Sequence, residues 1–209
     1  MSTIVKICGI TTPADGEAAA AAGADAVGLM FYAPSPRYVT VPAAAAIARA
    51  LPPFIIKVGV FVDAPAELVL QAVAECGLNV LQFHGAETPE YCQSFPVMTI
   101  KAFRMKGPET LAELPTYPTS AWLLDAYTPD RHGGTGATFN WELARQAGNL
   151  GRPIFLAGGL TPENVGAAIR QVRPYAVDVS SGVEAAPGRK DPVKMRAFVG
   201  AAKGALAAA

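Results

Sequence analysis

The chain has 209 residues, 51% apolar and 16% charged, with 17 basic and 17 acidic side chains. That length and apolar content suffice for a sizeable core and exclude a disordered chain. The balanced charge argues against a nucleic-acid or anionic-membrane partner, so any phosphate is expected to sit in a local site rather than a broad positive field.

The first apolar run, Ile4 to Cys8, reads as a strand and stops at Gly9. Thr12, Pro13 and Asp15 then supply the cap and first turn of a helix over 13–22. Cys8 is thus predicted at the C-terminal end of a strand, at the mouth of a strand-to-helix loop, where parallel α/β proteins place their chemistry. Alternation sets Ile4, Lys6 and Cys8 on one face, and an ammonium beside the thiol is expected to lower its pKa. Further β-rich runs follow at Asp25 to Phe31, Phe54 to Val62, Asn79 to Phe83, Val97 to Phe103, Ala121 to Asp125, Pro153 to Ala157 and Tyr175 to Val179. Helical segments lie between and after them, over 42–50, 64–75, 88–94, 107–113, 139–147, 161–171 and 191–206. Eight strand-then-helix units at about 25-residue spacing predict an α/β fold, a single (β/α)8 TIM barrel domain over 1–209. The strands are apolar on nearly every residue, as parallel strands covered on both faces must be. An internal echo agrees. Gly9-Ile10-Thr11-Thr12-Pro13 resembles Gly159-Leu160-Thr161-Pro162, and Gly9 precedes Gly28 by the same distance as Gly159 precedes Asp178. An open doubly wound sheet is the alternative topology.

The strand ends carry the candidate chemistry. After the second strand, Pro34 and Pro36 stiffen a loop holding Arg37, a bidentate partner for a carboxylate. The fourth strand ends at Gln82-Phe83-His84-Gly85, which sets His84 at a loop mouth. The sixth ends at Asp125, and an aspartate closing an apolar strand must be solvated, paired or functional. Residues 126–138 form a long loop with Gly133-Gly134-Thr135-Gly136, the composition of a closing element. After the seventh and eighth strands come Gly158-Gly159 and Asp178-Val179-Ser180-Ser181-Gly182, where backbone N–H groups can approach a phosphate. Each residue also has a plainer reading: Cys8 as a small buried side chain, Arg37 as a solvated surface cation, His84 as a loop histidine. No His, Cys and Asp spacing suits zinc. Three cysteines, Cys8, Cys76 and Cys92, are odd in number and lack framework spacing, which predicts reduced thiols in a cytoplasmic protein. The N-terminus lacks signal-peptide character, and interrupted apolar runs predict no membrane span.

Taken together, Lys-Ile-Cys-Gly, Ser-Pro-Arg, Gln-Phe-His-Gly, the Leu-Asp strand end, Gly-Gly-Thr-Gly before Phe139-Asn140-Trp141, Ala-Gly-Gly-Leu and Val-Asp-Val-Ser-Ser-Gly-Val-Glu resemble the phosphoribosylanthranilate isomerases of tryptophan biosynthesis. The resemblance implies an Amadori rearrangement of N-(5-phosphoribosyl)anthranilate to 1-(2-carboxyphenylamino)-1-deoxyribulose 5-phosphate. It implies Asp125 as general acid and Cys8 as general base. Arg37 is then the candidate for the anthranilate carboxylate. Gly158, Gly159, Ser181 and Gly182 are candidates for the phosphate, and His84 and Asp178 for other substrate groups. Partial burial is expected to keep the Asp125 proton in place. No cofactor is expected, because only protons move. The expected partner is the small phosphosugar-anthranilate substrate, with the chain a monomer or a homodimer. The alternatives are another phosphosugar barrel, such as the aminoaldose isomerase of histidine biosynthesis, and a non-catalytic phosphate-binding module.

Overall fold

The structure is a computed structural model and describes residues 3–126 and 141–206. Eight strands carry the frame: β1 (Ile4–Cys8), β2 (Ala26–Met30), β3 (Ile56–Phe61), β4 (Val80–Phe83), β5 (Met98–Met105), β6 (Ala121–Ala126), β7 (Ile154–Leu156) and β8 (Ala176–Val179). They pair in sequence order, all parallel, and β8 closes on β1 through Ile4↔Ala176 to Ile7↔Val179. Among the described residues eight α-helices follow them in turn: α1 (Pro13–Ala21), α2 (Val41–Ala50), α3 (Ala66–Cys76), α4 (Pro89–Gln93), α5 (Glu109–Glu113), α6 (Trp141–Ala147), α7 (Val165–Val172) and α8 (Pro192–Gly204). This is the predicted (β/α)8 barrel.

Local chemistry explains the alternation. Thr12, Thr40 and Thr88 each accept a backbone N–H of the first helical turn, and Pro follows within two residues in all three cases. The strands bury both faces. Ala26, Val58, Val80, Ile100, Ala102, Ala121, Leu123 and Ala157 fill the lumen. The alternate residues, among them Val27, Leu81, Phe83, Phe103, Trp122 and Leu124, face the helices in a larger outer core. Phe31 and Phe61 stack there with ring centroids 4.9 Å apart. Each such buried side chain stabilises the fold by about 1.5–3 kcal/mol relative to exposure.

Several boundaries differ from the sequence expectation for identifiable reasons. The third strand begins at Ile56, not Phe54, because Ile55 N–H closes a turn onto the Pro52 carbonyl and leaves Phe54 97% exposed. β5 runs on to Met105 because it pairs with β6 as far as Met105↔Ala126, which carries Arg104 to the barrel mouth. Helix α7 starts at Val165, not Thr161. Asn164 instead folds the segment back, accepting from Thr161 N–H at 2.8 Å and donating to the Gly159 carbonyl at 2.9 Å. Between β8 and α8 lies an unexpected small antiparallel pair, β9 (Glu184–Ala186) with β10 (Arg189–Lys190). The expected loop over 126–138 lies outside the described residues except for Ala126, the last of β6, and so do the first two residues of the expected helix over 139–147. Among the described residues no helix is long and apolar enough to cross a membrane.

Candidate active site

A cavity of about 470 Å³ opens at the C-terminal ends of the strands. Its wall includes Cys8, Arg37, His84, Asp125, Gly158, Gly159, Asp178, Ser181 and Gly182, so every site residue read from the sequence meets the same space.

Cys8 ends β1 opposite Gly28 of β2. A Cβ on Gly28 would lie 2.7 Å from Cys8 Sγ and 3.1 Å from Lys6 Nζ, so a glycine there is what makes room for both. Lys6 is fully buried and donates to Asp178 Oδ1 at 2.9 Å across the β1–β8 pairing. The expectation that Lys6 depresses the thiol is therefore corrected. Burial dominates and pushes Cys8 above its ordinary pKa; the Lys6 ammonium pulls it down, but Asp178 pushes it up again. The thiol is the resting form at neutral pH. For Lys6 itself burial favours the neutral amine, yet Asp178 and Cys8 together outweigh it and hold the ammonium above its usual range.

Asp125 is the penultimate residue of β6, with Leu123 and Ala121 below it on the lumen side, as alternation requires. Its carboxyl is 17% exposed, and His84 Nε2 approaches Oδ2 to 3.4 Å. The turn that presents His84 is braced from outside the barrel. Buried Lys101 donates to the Gly85 carbonyl at 2.6 Å and to Glu87 at 2.8 Å, while Glu87 accepts from the backbone of Gly85 and Asp63.

Arg37 crosses above Gly9, whose φ of +78° and missing side chain leave the arginine its path; a Cβ there would lie 2.6 Å from Arg37 Cδ. Its guanidinium forks onto Glu184 through Nε at 2.8 Å and Nη2 at 2.7 Å. Lys190 Nζ also reaches Glu184, at 2.9 Å. The Arg37 fork is thus already occupied by a carboxylate of the protein, and its remaining N–H groups are those left for a ligand.

Gly158 and Gly159 have φ of +81° and +66° and lie at the cavity wall. A Cβ on Gly182 would overlap the Leu160 carbonyl oxygen, so glycine lets the loops after β7 and β8 pack backbone to backbone. Phosphate candidates from two loops are in this way brought to one end of the cavity.

Sequence reasoning missed four contributors. Gln82 was legible, since alternation with Val80 and His84 puts its polar side chain on the lumen face of an apolar strand. Arg104 lines the cavity only because β5 outruns its apolar stretch. Glu184 and Lys190 depend on the β9–β10 pair, which has no signal in local pattern.

The comparison with known proteins is decisive here. A model of the N-(5'phosphoribosyl)anthranilate (PRA) isomerase family matches residues 5–201. The chain belongs to that family. A relative named N-(5'-phosphoribosyl)anthranilate isomerase from Geobacter sp. (strain M21) is 56% identical over 96% of this chain and 98% of its own length. The crystal structure of phosphoribosyl anthranilate isomerase from Thermotoga maritima is 42% identical, covers 97% of this chain and 99% of its own, and superposes with a TM-score of 0.92. Another structure of the Thermotoga maritima enzyme is described as mutually generated monomers of a dimeric protein; it is 39% identical, with the same coverage and a TM-score of 0.87. A phosphoribosyl anthranilate isomerase bound to reduced 1-(o-carboxyphenylamino)-1-deoxyribulose 5-phosphate is 40% identical, again covering 97% and 99%, with a TM-score of 0.88.

Proposed function

We infer that this chain isomerises N-(5'-phosphoribosyl)anthranilate to 1-(o-carboxyphenylamino)-1-deoxyribulose 5-phosphate, a step of tryptophan biosynthesis. Family membership over residues 5–201 supports the reaction, and the observation that carries the mechanism is one cavity faced by a thiol and a carboxyl group. Asp125 gives its proton to the furanose ring oxygen, the C1–O bond breaks, and the nitrogen lone pair forms a protonated Schiff base. Cys8, as thiolate, then takes the C2 proton, and the electron pair moves into the C1–N system to give an enolamine. Tautomerisation to the ketone completes an exchange in which only protons have moved. A high thiol pKa makes the thiolate scarce but strongly basic, which suits a carbon acid. Arg37 receives the anthranilate carboxylate through the N–H groups that Glu184 leaves free. Gly158, Gly159, Ser181 and Gly182 hold the phosphate through backbone N–H groups. Anchored at both ends, the sugar presents C2 and the ring oxygen to the two residues.

Residues 1–209 act as one barrel domain in this reading. Three free, buried cysteines favour a reducing, cytoplasmic setting. The exposed apolar side chains Phe54, Ile56, Met98 and Tyr175 all lie at the N-terminal ends of strands, far from the cavity, and support a homodimer through that end. Sedimentation of Phe54→Asp tests this: a species half the wild-type mass is expected, and an unchanged mass refutes the face.

The experiment for the reaction is turnover of N-(5'-phosphoribosyl)anthranilate by purified protein and by Asp125→Asn. Wild type turns over, and the variant falls by about 10²–10⁴-fold. An inactive wild type that still binds the product analogue would make the protein a binding module, and a fully active Asp125→Asn would remove the acid.

A further inference from the structure

Gln82 is 1% exposed, sits on the lumen face of β4 between Val80 and His84, and lines the cavity. Its two side-chain polar atoms are in different situations. Nε2 lies 3.4 Å from His84 Nδ1. Oε1 is buried with no hydrogen-bond partner among the described residues. A buried amide oxygen left unpaired costs about 1–3 kcal/mol, so its retention at the cavity wall needs a reason.

We propose that Gln82 is a positioning residue that fixes the ring proton of His84 on Nε2, facing Asp125, and offers its free carbonyl oxygen to a hydroxyl of the bound sugar. An amide nitrogen has protons and no lone pair to give, so it meets Nδ1 only when Nδ1 is bare. A neutral ring then carries its proton on Nε2, the atom 3.4 Å from Asp125 Oδ2. Both contacts are long, as catalytic hydrogen bonds in unliganded sites commonly are. The backbone that carries the ring is held from behind: His84 backbone N–H donates to the Phe61 carbonyl at 2.9 Å, and buried Lys101 fixes the Gly85 carbonyl at 2.6 Å.

The tautomer matters because of what Asp125 does. With Nε2–H directed at it, the ring cannot accept the carboxyl proton, so that proton stays available for the ring oxygen. Once it has gone, the same Nε2–H supports the carboxylate left behind. The contact strengthens as charge develops and adds little before, which is the condition for accelerating the step. The opposite tautomer would present a bare nitrogen to Asp125 and compete for its proton. The catalytic consequence rests on Asp125 being the acid; the tautomer does not.

The test separates the two. The chain has two histidines, His84 and His132, so long-range 1H–15N spectra of the histidine ring nitrogens are assigned by comparison with His84→Asn. Spectra are recorded about two pH units above the ordinary imidazole pKa of ~6.5. The wild type is expected to show His84 protonated at Nε2. Gln82→Leu is expected to give a mixture of tautomers and to lower kcat about five- to tenfold, the worth of one net hydrogen bond. Gln82→Glu, whose carboxylate accepts from Nδ1–H, is expected to invert the tautomer and lower kcat further. A wild-type ring protonated at Nδ1 overturns the proposal without any variant, and so does a Gln82→Leu that keeps both the Nε2–H pattern and the wild-type kcat. A fully active Asp125→Asn would instead refute the acid assignment while leaving the tautomer result standing.

Discussion

Lys6 Nζ lies 2.9 Å from Asp178 Oδ1 inside the barrel, with the lysine fully buried and the aspartate 9% exposed, directly beneath Cys8. A pair this deep gains little over an apolar pair of the same shape, because desolvation offsets most of the attraction, but breaking it leaves one charge stranded. Lys6→Met should therefore destabilise the protein by about 3–5 kcal/mol in urea unfolding. Lys6→Met combined with Asp178→Leu should recover most of that loss. Equal stability for the single and double variants would mean the aspartate finds water once unpaired.

The raised pKa of Cys8 fixes the sign of the pH dependence. Burial, the largest influence, favours the thiol, and Lys6 and Lys190 do not fully offset it. If the base is the thiolate of a free enzyme in which Asp125 keeps its proton, kcat/KM should rise with pH between about 7 and 9, close to tenfold per unit, because the thiolate fraction grows at that rate. Cys8→Asp should retain some activity and lose the alkaline rise. A flat wild-type profile over this range would show that acid and base share one proton, so that the gain in thiolate is offset by an equal loss of the acid.

The three thiols should differ sharply in reactivity. Cys92 is 0% exposed, and burial pushes it to about 11 despite the pull of Lys101. Cys76 is buried and also raised, first by burial and then by Glu75. Only Cys8 lines the cavity. Iodoacetamide at about pH 8.5 should carboxamidomethylate Cys8 first by mass spectrometry, in step with loss of activity, and the product should protect it. Early labelling of Cys92 would contradict its placement in the outer core.

Glu184 joins the substrate end of the site to the loop after β8. Burial raises its carboxyl, but Arg37 and Lys190 outweigh that and hold it below the usual carboxylate value of 4.5. A carboxylate depressed by folding adds stability above its unfolded pKa and loses that contribution as pH falls through the folded one. Glu184→Gln should be less stable than wild type at neutral pH, with the difference shrinking below about pH 4.5. It should also raise KM more than it lowers kcat, since Arg37 loses its fixed orientation. A lowered kcat at unchanged KM would assign Arg37 to the chemistry rather than to binding.

What could be read in advance follows from where each signal resides. Cys8, Asp125 and the two glycine loops stand where an apolar strand gives way to a loop, so local pattern marks both the residue and its end of the barrel. The direction of the Cys8 shift was not legible, because it turns first on burial inside the closed barrel, which outweighs Lys6, and then on Asp178, which lies 170 positions away and pairs with Lys6 only after β8 closes on β1. The Arg37–Glu184–Lys190 cluster was hidden for the same reason: it spans the loop after β2 and the β9–β10 pair. Arg104 was hidden because pairing with β6 extends β5 past its apolar stretch.

The central claim is that Cys8 takes the C2 proton, and turnover of Cys8→Ala on N-(5'-phosphoribosyl)anthranilate tests it most directly. A loss of about 10²–10⁴-fold in kcat with little change in KM is the predicted result, because methyl for thiol removes the base and leaves the anchoring groups in place. A Cys8→Ala enzyme turning over at the wild-type rate would contradict it.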